Sequence, residues 1–419
     1  MAKPSRLWKR LGATYPLFSV WNQHGLSAND HTVKSIKISR GADGPEGGVH
    51  PPTLSVDTTF LEQVRSGERI QVDLTTHGTN RLAALVGADP AKVRRRFYGR
   101  IGQQTVNDID PTNQQTTFNA AGWEAQLKHI KSLRTYSAGE AVSEIVRKLA
   151  YGQPVGLPYL PQWEFPASDD QYGYAVAHGI EPITYPDDIE KWTTDIGLYV
   201  QTLRDGTCRV LTHQYRWDNA LALLNGGTHH PFTRSNAISP ATWEQPAQDM
   251  PVRHRVYWND SDGETYFTWG DGANTPITEY DMKHVRWLAN QNQPMQTGRA
   301  YFHRNVPPRY NLPSLTFDVL MLANSPHISH RDQARELLEL EVGDPVFLSN
   351  DWYQQLRGVM FAVGIEESIT PDGWEITLNL AGSREVVGEV SPDVQGRTWE
   401  AAGYPWNAQP KPNTLWKDA

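Results

Sequence analysis

The side chains in this chain with chemistry to offer are histidines, one cysteine and clustered carboxylates. His229-His230 sit in a Gly-Gly-Thr-His-His-Pro loop, and His327 and His330 stand three apart. Neither pair has a His or acidic partner at a zinc-binding spacing such as His-Glu-x-x-His, so both read as loop or surface histidines. Asp260-Ser261-Asp262-Gly263-Glu264 superficially resembles a calcium loop. With Gly263 at loop position six, however, position one is Trp258 and position twelve is Trp269. An acid and a bidentate Glu are required there, so the stretch reads as a hairpin turn. Cys208 lies mid-strand between Thr207 and Arg209. A papain-type nucleophile needs a helix N-terminus to stabilise its thiolate, so Cys208 reads as a small buried apolar side chain. The chain has no Gly-x-Ser-x-Gly elbow, no phosphate-cradling Gly-x-x-x-x-Gly-Lys loop and no Gly-x-Gly-x-x-Gly fingerprint. No catalytic, cofactor-binding or metal-binding residue is therefore expected. Paired-carboxylate glycoside hydrolysis leaves no fixed spacing, so the sequence leaves that chemistry open.

The elements around these residues point to assembly rather than catalysis. The 419 residues suffice for several domains. The net charge is -8, from 39 basic against 47 acidic residues, which excludes a nucleic-acid binder held by bulk electrostatics. No run is long and apolar enough to span a bilayer. Lys3, Arg6, Lys9 and Arg10 precede only isolated Leu7 and Leu11, not the apolar stretch of a secretory signal. One cysteine permits no internal disulfide, which fits a reducing compartment. The 15 Trp, 17 Tyr, 33 Gly and 29 Pro indicate strand-rich structure with large contact surfaces.

The organising feature is a phrase present twice, 276 residues apart. The first copy is Gly67-Glu68-Arg69-Ile70-Gln71-Val72-Asp73-Leu74, then Tyr98-Gly99-Arg100-Ile101, then Thr116-Thr117-Phe118-Asn119-Ala120-Ala121-Gly122-Trp123. The second is Gly343-Asp344-Pro345-Val346-Phe347-Leu348, then Arg357-Gly358-Val359, then Trp374-Glu375-Ile376-Thr377-Leu378-Asn379-Leu380-Ala381-Gly382. Each reads as a Gly-acid turn, a strand, a strand entered through Gly, and a long alternating strand. From Gly67 to Gly99 is 32 residues, against 15 from Gly343 to Gly358, so the first copy carries about 17 extra residues within Thr75 to Arg96. That inserted loop is expected to make contacts the other copy lacks. Arg94-Arg95-Arg96 is expected to be a solvated strand edge.

The sequence thus predicts a β-rich α+β chain: two related small β-barrels with a mixed α/β insertion between them and extended terminal arms. The expected arrangement is an N-terminal arm over 1–30, a first barrel over 31–134 and a middle region over 135–300. A second barrel spans 301–390 and a Pro- and Trp-rich arm 391–419. Ser137 with Glu140 and Asp187 with Glu190 are capping boxes that predict helices near 138–150 and 188–203. In the first barrel, Val33, Ser35, Lys37 and Ser39 should share one strand face, opposite Lys34, Ile36 and Ile38. Leu54, Val56 and Thr58 should alternate with Ser55, Asp57 and Thr59. Hairpins are expected around Asp205-Gly206 and from Val252 to Trp269. Leu315, Phe317, Val319 and Leu320 should open the second barrel, with a short helix or turn over Arg331 to Leu340.

Several segments carry a resemblance. Val33-Lys34-Ser35-Ile36-Lys37-Ile38-Ser39-Arg40-Gly41 with Thr53-Leu54-Ser55-Val56 resembles the start of tail hub, or minor tail, proteins of long-tailed actinobacterial phages. Arg96-Phe97-Tyr98-Gly99-Arg100-Ile101 with Ala121-Gly122-Trp123 is similar to the same family's first domain. Leu338-Glu339-Leu340-Glu341-Val342-Gly343-Asp344-Pro345-Val346-Phe347-Leu348 and Ile369-Thr370-Pro371-Asp372-Gly373-Trp374-Glu375-Ile376-Thr377-Leu378 resemble its closing part. The likeness covers roughly 33–128 and 315–382. It implies a baseplate-hub-like, non-enzymatic virion protein at the tail tip, assembled in the host cytoplasm without membrane insertion or cofactors. It further implies a homotrimeric ring meeting a distal tail ring protein, the tape-measure protein and tip or fibre proteins. Phage DNA would pass through its channel without sequence-specific binding. The alternatives are a hexameric distal tail ring protein, or a tail-carried carbohydrate-binding or cell-wall-hydrolysing protein.

Overall fold

The computed structural model describes residues 17–22, 25–29, 33–41, 51–58, 66–107, 115–122, 125, 163–164, 198–212, 219, 230–239, 242–244, 253–260, 263–270, 279–282, 311–349, 358–370 and 372–382. The strands in chain order are β1 (Phe18–Asn22), β2 (Gly25–Asn29), β3 (Val33–Gly41), β4 (Thr53–Thr58), β5 (Arg69–Leu74), β6 (Arg95–Asn107), β7 (Gln115–Ala121), β8 (Trp163–Glu164) and β9 (Leu198–Thr202). They continue with β10 (Cys208–Thr212), β11 (Thr242–Glu244), β12 (Arg253–Asp260), β13 (Gly263–Gly270), β14 (Glu279–Met282), β15 (Asn311–Asp318), β16 (Pro345–Leu348), β17 (Gly358–Ile369) and β18 (Trp374–Gly382). The helices are α1 (Thr76–Val86), α2 (Pro90–Arg94), α3 (Val319–Ala323) and α4 (Ile328–Glu339).

The strand-rich expectation holds, but the two repeated segments are not two separate sheets. One 12-stranded sheet runs β11-β15-β18-β17-β3-β4-β7-β6-β5-β1-β2, with β16 also on β17. The first segment meets the second where β3 pairs antiparallel with β17, from Gly41↔Gly364 to Ile36↔Ile369. A single apolar core follows, shared by Ile36, Ile38, Val56 and Phe118 from one half and Phe317, Ile365, Trp374 and Leu378 from the other.

Within that sheet the duplication is visible bond by bond. Gly67 N–H donates to Ile101 O (2.7 Å) while Ile101 N–H donates to Glu68 O (2.9 Å). Gly343 N–H donates to Ala362 O (2.6 Å) while Ala362 N–H donates to Asp344 O (3.0 Å). Both glycines are left-handed, with φ of 85° and 94°, a conformation that disfavours any Cβ. One residue after Ile101 and Ala362, each second strand bulges against the third, between Ile101 and Gln103 and between Ala362 and Gly364. The strand order is also repeated: β5-β6-β7-β4 in one half matches β16-β17-β18-β15 in the other.

Several local expectations are corrected. Residues 17–22 and 25–29 are not an arm: β1 pairs with β5 and β2 with β1, because Leu17, Phe18 and Val20 fill the core, and the rest of the arm expected over 1–30 lies outside the described residues. Val33 does not lie with Ser35 and Ser39. The β3–β4 register shifts between Val33 and Ser35, which returns Val33 to the buried face with Ile36 and Ile38. The insertion in the first copy is two helices rather than a loop. Thr75 accepts from Gly78 N–H and Gly87 ends α1 left-handed; Asp89 caps α2 ahead of Pro90. Both helices pack on α4 of the second copy, so this insertion does make contacts its counterpart cannot. Val319 and Leu320 are helical, because Asp318 accepts from Met321 N–H and caps α3. The helix expected over 188–203 does not take in 198–203, and 188–197 lie outside the described residues. Leu198–Thr202 is a strand paired with β10, since β-branched Val200 and Thr202 lead into the expected Asp205-Gly206 turn.

The Leu54/Val56/Thr58 alternation holds, and the hairpin expected from Val252 to Trp269 forms over the described residues from Arg253, with His254↔Trp269 and Val256↔Phe267 opposite each other. The helix near 138–150 and the arm over 391–419 lie outside the described residues.

Candidate functional site

Where β3 joins β17, five charged side chains meet in the core. Arg96 clasps Glu367 with two bonds, Nε to Oε2 at 2.9 Å and Nη2 to Oε1 at 2.7 Å. Arg40 Nη2 donates to the same Oε1 at 2.8 Å, and its Nη1 donates to Glu341 Oε2 at 3.3 Å. Arg204 Nε donates to Glu341 Oε1. Arg40, Arg96 and Glu367 expose 1% or less of their side chains, so solvent screens nothing. Beneath them Arg96 lies over the Trp374 ring, 5.4 Å from its centroid, and Phe18 meets Trp374 edge-on at 4.9 Å.

Three guanidiniums against two carboxylates leave a surplus cation, which the end of α4 takes up. Leu338 O accepts from Arg96 Nη1 (2.9 Å) and from Arg204 Nη1, and Leu340 O accepts from Arg204 Nη2 (2.5 Å). The terminal carbonyls of a helix lack intrahelical donors and sit at the negative end of its dipole, so cations satisfy both needs. Burial alone would raise the pKa of Glu367 and Glu341. The arginines outweigh it, Arg96 and Arg40 on Glu367 and Arg204 and Arg40 on Glu341, and hold both below the ordinary carboxylate value. Burial pushes Arg96 down to about 10 against the pull of Glu367, which leaves it charged at neutral pH.

This arrangement is a clasp. It ties β3 and β6 of the first half to β17 and α4 of the second, with the β9–β10 turn closing it through Arg204. No group in it is a nucleophile or is placed as a proton-transfer pair, and no metal-ligating cluster occurs among the described residues.

The residues singled out for chemistry are dispersed. Cys208 is fully buried in β10, opposite Thr202 and Trp163. His330 Nδ1 pairs with Ser325 Oγ at 2.8 Å, with the His327 ring 5.1 Å away. His230 lies 3.4 Å from Asp332 and contacts Arg335; His229 lies outside the described residues. Asp260 and Gly263 face each other across the β12–β13 hairpin.

The sequence reading missed the clasp and read Arg94-Arg95-Arg96 as solvated. Arg95 is partly so, bonding Asp73 at 2.6 Å, but Arg96 is fully buried. A signal did exist. Arg40 continues the inward parity of Ile36 and Ile38, and Glu367 stands between the inward Ile365 and Ile369. Opposite charges at inward positions of two strands are the mark of a buried pair.

No protein-family model matches this chain, and no curated protein does. Solved structures do match. A tail protein from Neisseria meningitidis MC58 superposes with a TM-score of 0.59 at 14% identity, over 87% of this chain and 96% of that one. The 43 kDa tail protein of prophage MuSo2 from Shewanella oneidensis superposes at 0.54 and 10% identity, over 88% and 98%. The fold is that of phage tail proteins. Both likenesses extend over most of this chain and nearly the whole of the other. The actinobacterial origin suggested by the short motifs is a finer reading than these likenesses carry.

Proposed function

We propose that this chain is a structural component of a phage tail tip, a hub in which three copies build a ring of six similar units. The observation that carries the reading is the repeated Gly-acid turn, with its paired hydrogen bonds and following bulge, in both halves of one sheet of the tail-protein fold. A tail tube is sixfold and tip fibres are commonly threefold. A chain holding two similar barrel-like units meets both, since three copies present six quasi-equivalent edges to the tube and three identical ones to the tip. In this reading the clasp fixes the angle between the two units of one chain. A buried ion-pair network is costly to break by halves, so the angle stays set when neighbouring subunits pull on it.

The ring would border the channel for DNA and the tape-measure protein and would contact the distal tail ring and fibre proteins. The net charge of -8 suits a conduit that does not retain DNA. Native mass measurement of the purified full chain tests the reading. A mass of three chains is expected, with six similar densities around a threefold axis in averaged images. A stable monomer that binds a cell-wall polysaccharide, or a hexamer, would sink it.

A further inference from the structure

The two halves share a four-strand order, and one of the places where they differ is a flank of the second strand. In the second half, both flanks of β17 beyond its bulge are filled: β18 lies on one side and Gly364–Ile369 take β3 on the other. In the first half, β6 pairs with β7 along Arg100–Asn107 and with β5 only along Arg95–Arg100. Among the described residues, nothing pairs with the β5-side flank of Gln103–Asn107. The shared turn geometry aligns Ile101 with Ala362, so Gln103, Thr105 and Asn107 stand where Gly364, Glu366 and Ser368 stand.

The strand that would fill this flank has a counterpart too. β3 lies on the outer side of β4, with Ser39 opposite Thr53 and Lys37 opposite Ser55. β11 lies on the outer side of β15 in the same way, with Glu244 opposite Asn311 and Thr242 opposite Ser314. Thr53 and Asn311 hold one place in the repeat, since they face Ala121 and Ala381. β11 is therefore the second half's version of β3. Its outer side carries no strand among the described residues, and it ends the sheet.

We infer that β11 of one copy pairs antiparallel with Gln103–Asn107 of β6 in a second copy of this chain, repeating between chains the β3–β17 junction found within one. Transferring the observed register (Ser39↔Glu366, Ile38↔Glu367, Lys37↔Ser368) places Glu244 opposite Thr105, Trp243 opposite Val106 and Thr242 opposite Asn107. An unpaired edge is a template for strand addition, and the repeated geometry commits it to this occupant. Because β11 and the open flank lie on opposite halves, the contact is head-to-tail, and in the ring proposed above it closes after three copies. The inference rests on the ring proposed above.

Disulfide trapping in the full chain tests it, since opposed strand residues lie within the Cα separation a disulfide spans. Separately prepared Thr105→Cys and Glu244→Cys chains, mixed and oxidised, should give a covalent two-chain species, and neither alone should. The doubly substituted chain should give a covalent trimer. Ser39→Cys with Glu366→Cys, the equivalent pair inside one chain, should lock without changing chain number and serves as the folding control. A trimer by native mass, with the control pair locked and no Thr105–Glu244 link, would overturn the proposed pairing while leaving the ring intact. A monomer with the control pair locked would overturn both.

Discussion

Neutralising Glu367 is the sharpest test of the clasp. Glu367→Gln keeps the shape of the side chain but removes the one carboxylate that Arg96 bonds twice, at 2.7 and 2.9 Å, and that Arg40 bonds at 2.8 Å. One amide position becomes a donor facing a donor, so Arg96 loses one of its two bonds to residue 367 and keeps one bond to the amide oxygen and the Leu338 carbonyl. Both arginines expose 1% or less, so water cannot replace the lost charge. Stranding a buried partner costs about 3–5 kcal/mol, a large share of a typical total stability of about 5–15 kcal/mol. Hydrogen exchange of the β3 and β17 amides reads this locally and needs no two-state assumption for a chain of this size. Their exchange should accelerate by roughly 10²-fold to a few thousand-fold, at about 1.4 kcal/mol per decade. Lys92→Met, which removes the 3.6 Å pair of a 62%-exposed lysine with Glu339, should change it by no more than about fivefold. The triple change Arg40→Met, Arg96→Met, Glu367→Met should recover most of the loss, because no charge is then left unpaired. Glu367→Gln exchange within about twofold of the parent would refute the reasoning, as would a triple variant no better than the single.

Two glycines of similar backbone should respond differently. Gly67→Ala, with open space around its Cβ, should cost about 1–2 kcal/mol for its left-handed φ alone, whereas Gly41→Ala would also place Cβ 2.2 Å from Val363 O. Chemical denaturation should therefore show the Gly41 variant several times more destabilised, with β3–β17 amides losing protection first. Stability should peak in mildly acidic solution. Glu367 and Glu341 have folded pKa values below the ordinary 4.5, so their contribution is present above that pH and is lost as pH falls through the folded values. Glu336 is pushed up to about 7, first by burial and then by Glu339 and Asp332 against Arg335. Its contribution is present below about 4.5 and is lost as pH rises through 7. Burial pushes Asp344 up to about 6 in the same direction, so both half-buried carboxyls contribute to the alkaline limb. Melting curves from pH 3 to 8 check both limbs, and Glu336→Gln should reduce the slope of the upper one while leaving the lower one unchanged.

The repeated phrase was legible from the residues because its parts are local. A left-handed turn needs Gly67 or Gly343, and a half-buried strand needs the alternation of Ile70, Val72 and Leu74 or of Ile376, Leu378 and Leu380. The Asp-Gly hairpins were legible for the same reason. The helices of the insertion also carried local signals, Thr75 with Gly87 and Asp89 ahead of Pro90, which the repeat's own pattern obscured. Other features depend on partners far away in the chain. Arg96 and Glu367 are 271 residues apart, and only the pairing of β3 with β17 brings each into reach of the other. A strand's inward parity announces that a charge is buried; it does not say which opposite charge will meet it. Likewise, the sequence by itself determined that one phrase of Gly-acid turn and strands is present twice. Only the tertiary structure decided that the two copies share one sheet, that an ionic clasp holds them, and that among the described residues one flank of β6 carries no strand where its counterpart on β17 is filled. The reason is physical: turns and alternation are set by neighbours along the chain, whereas desolvated ion pairs and strand edges are set by neighbours in space.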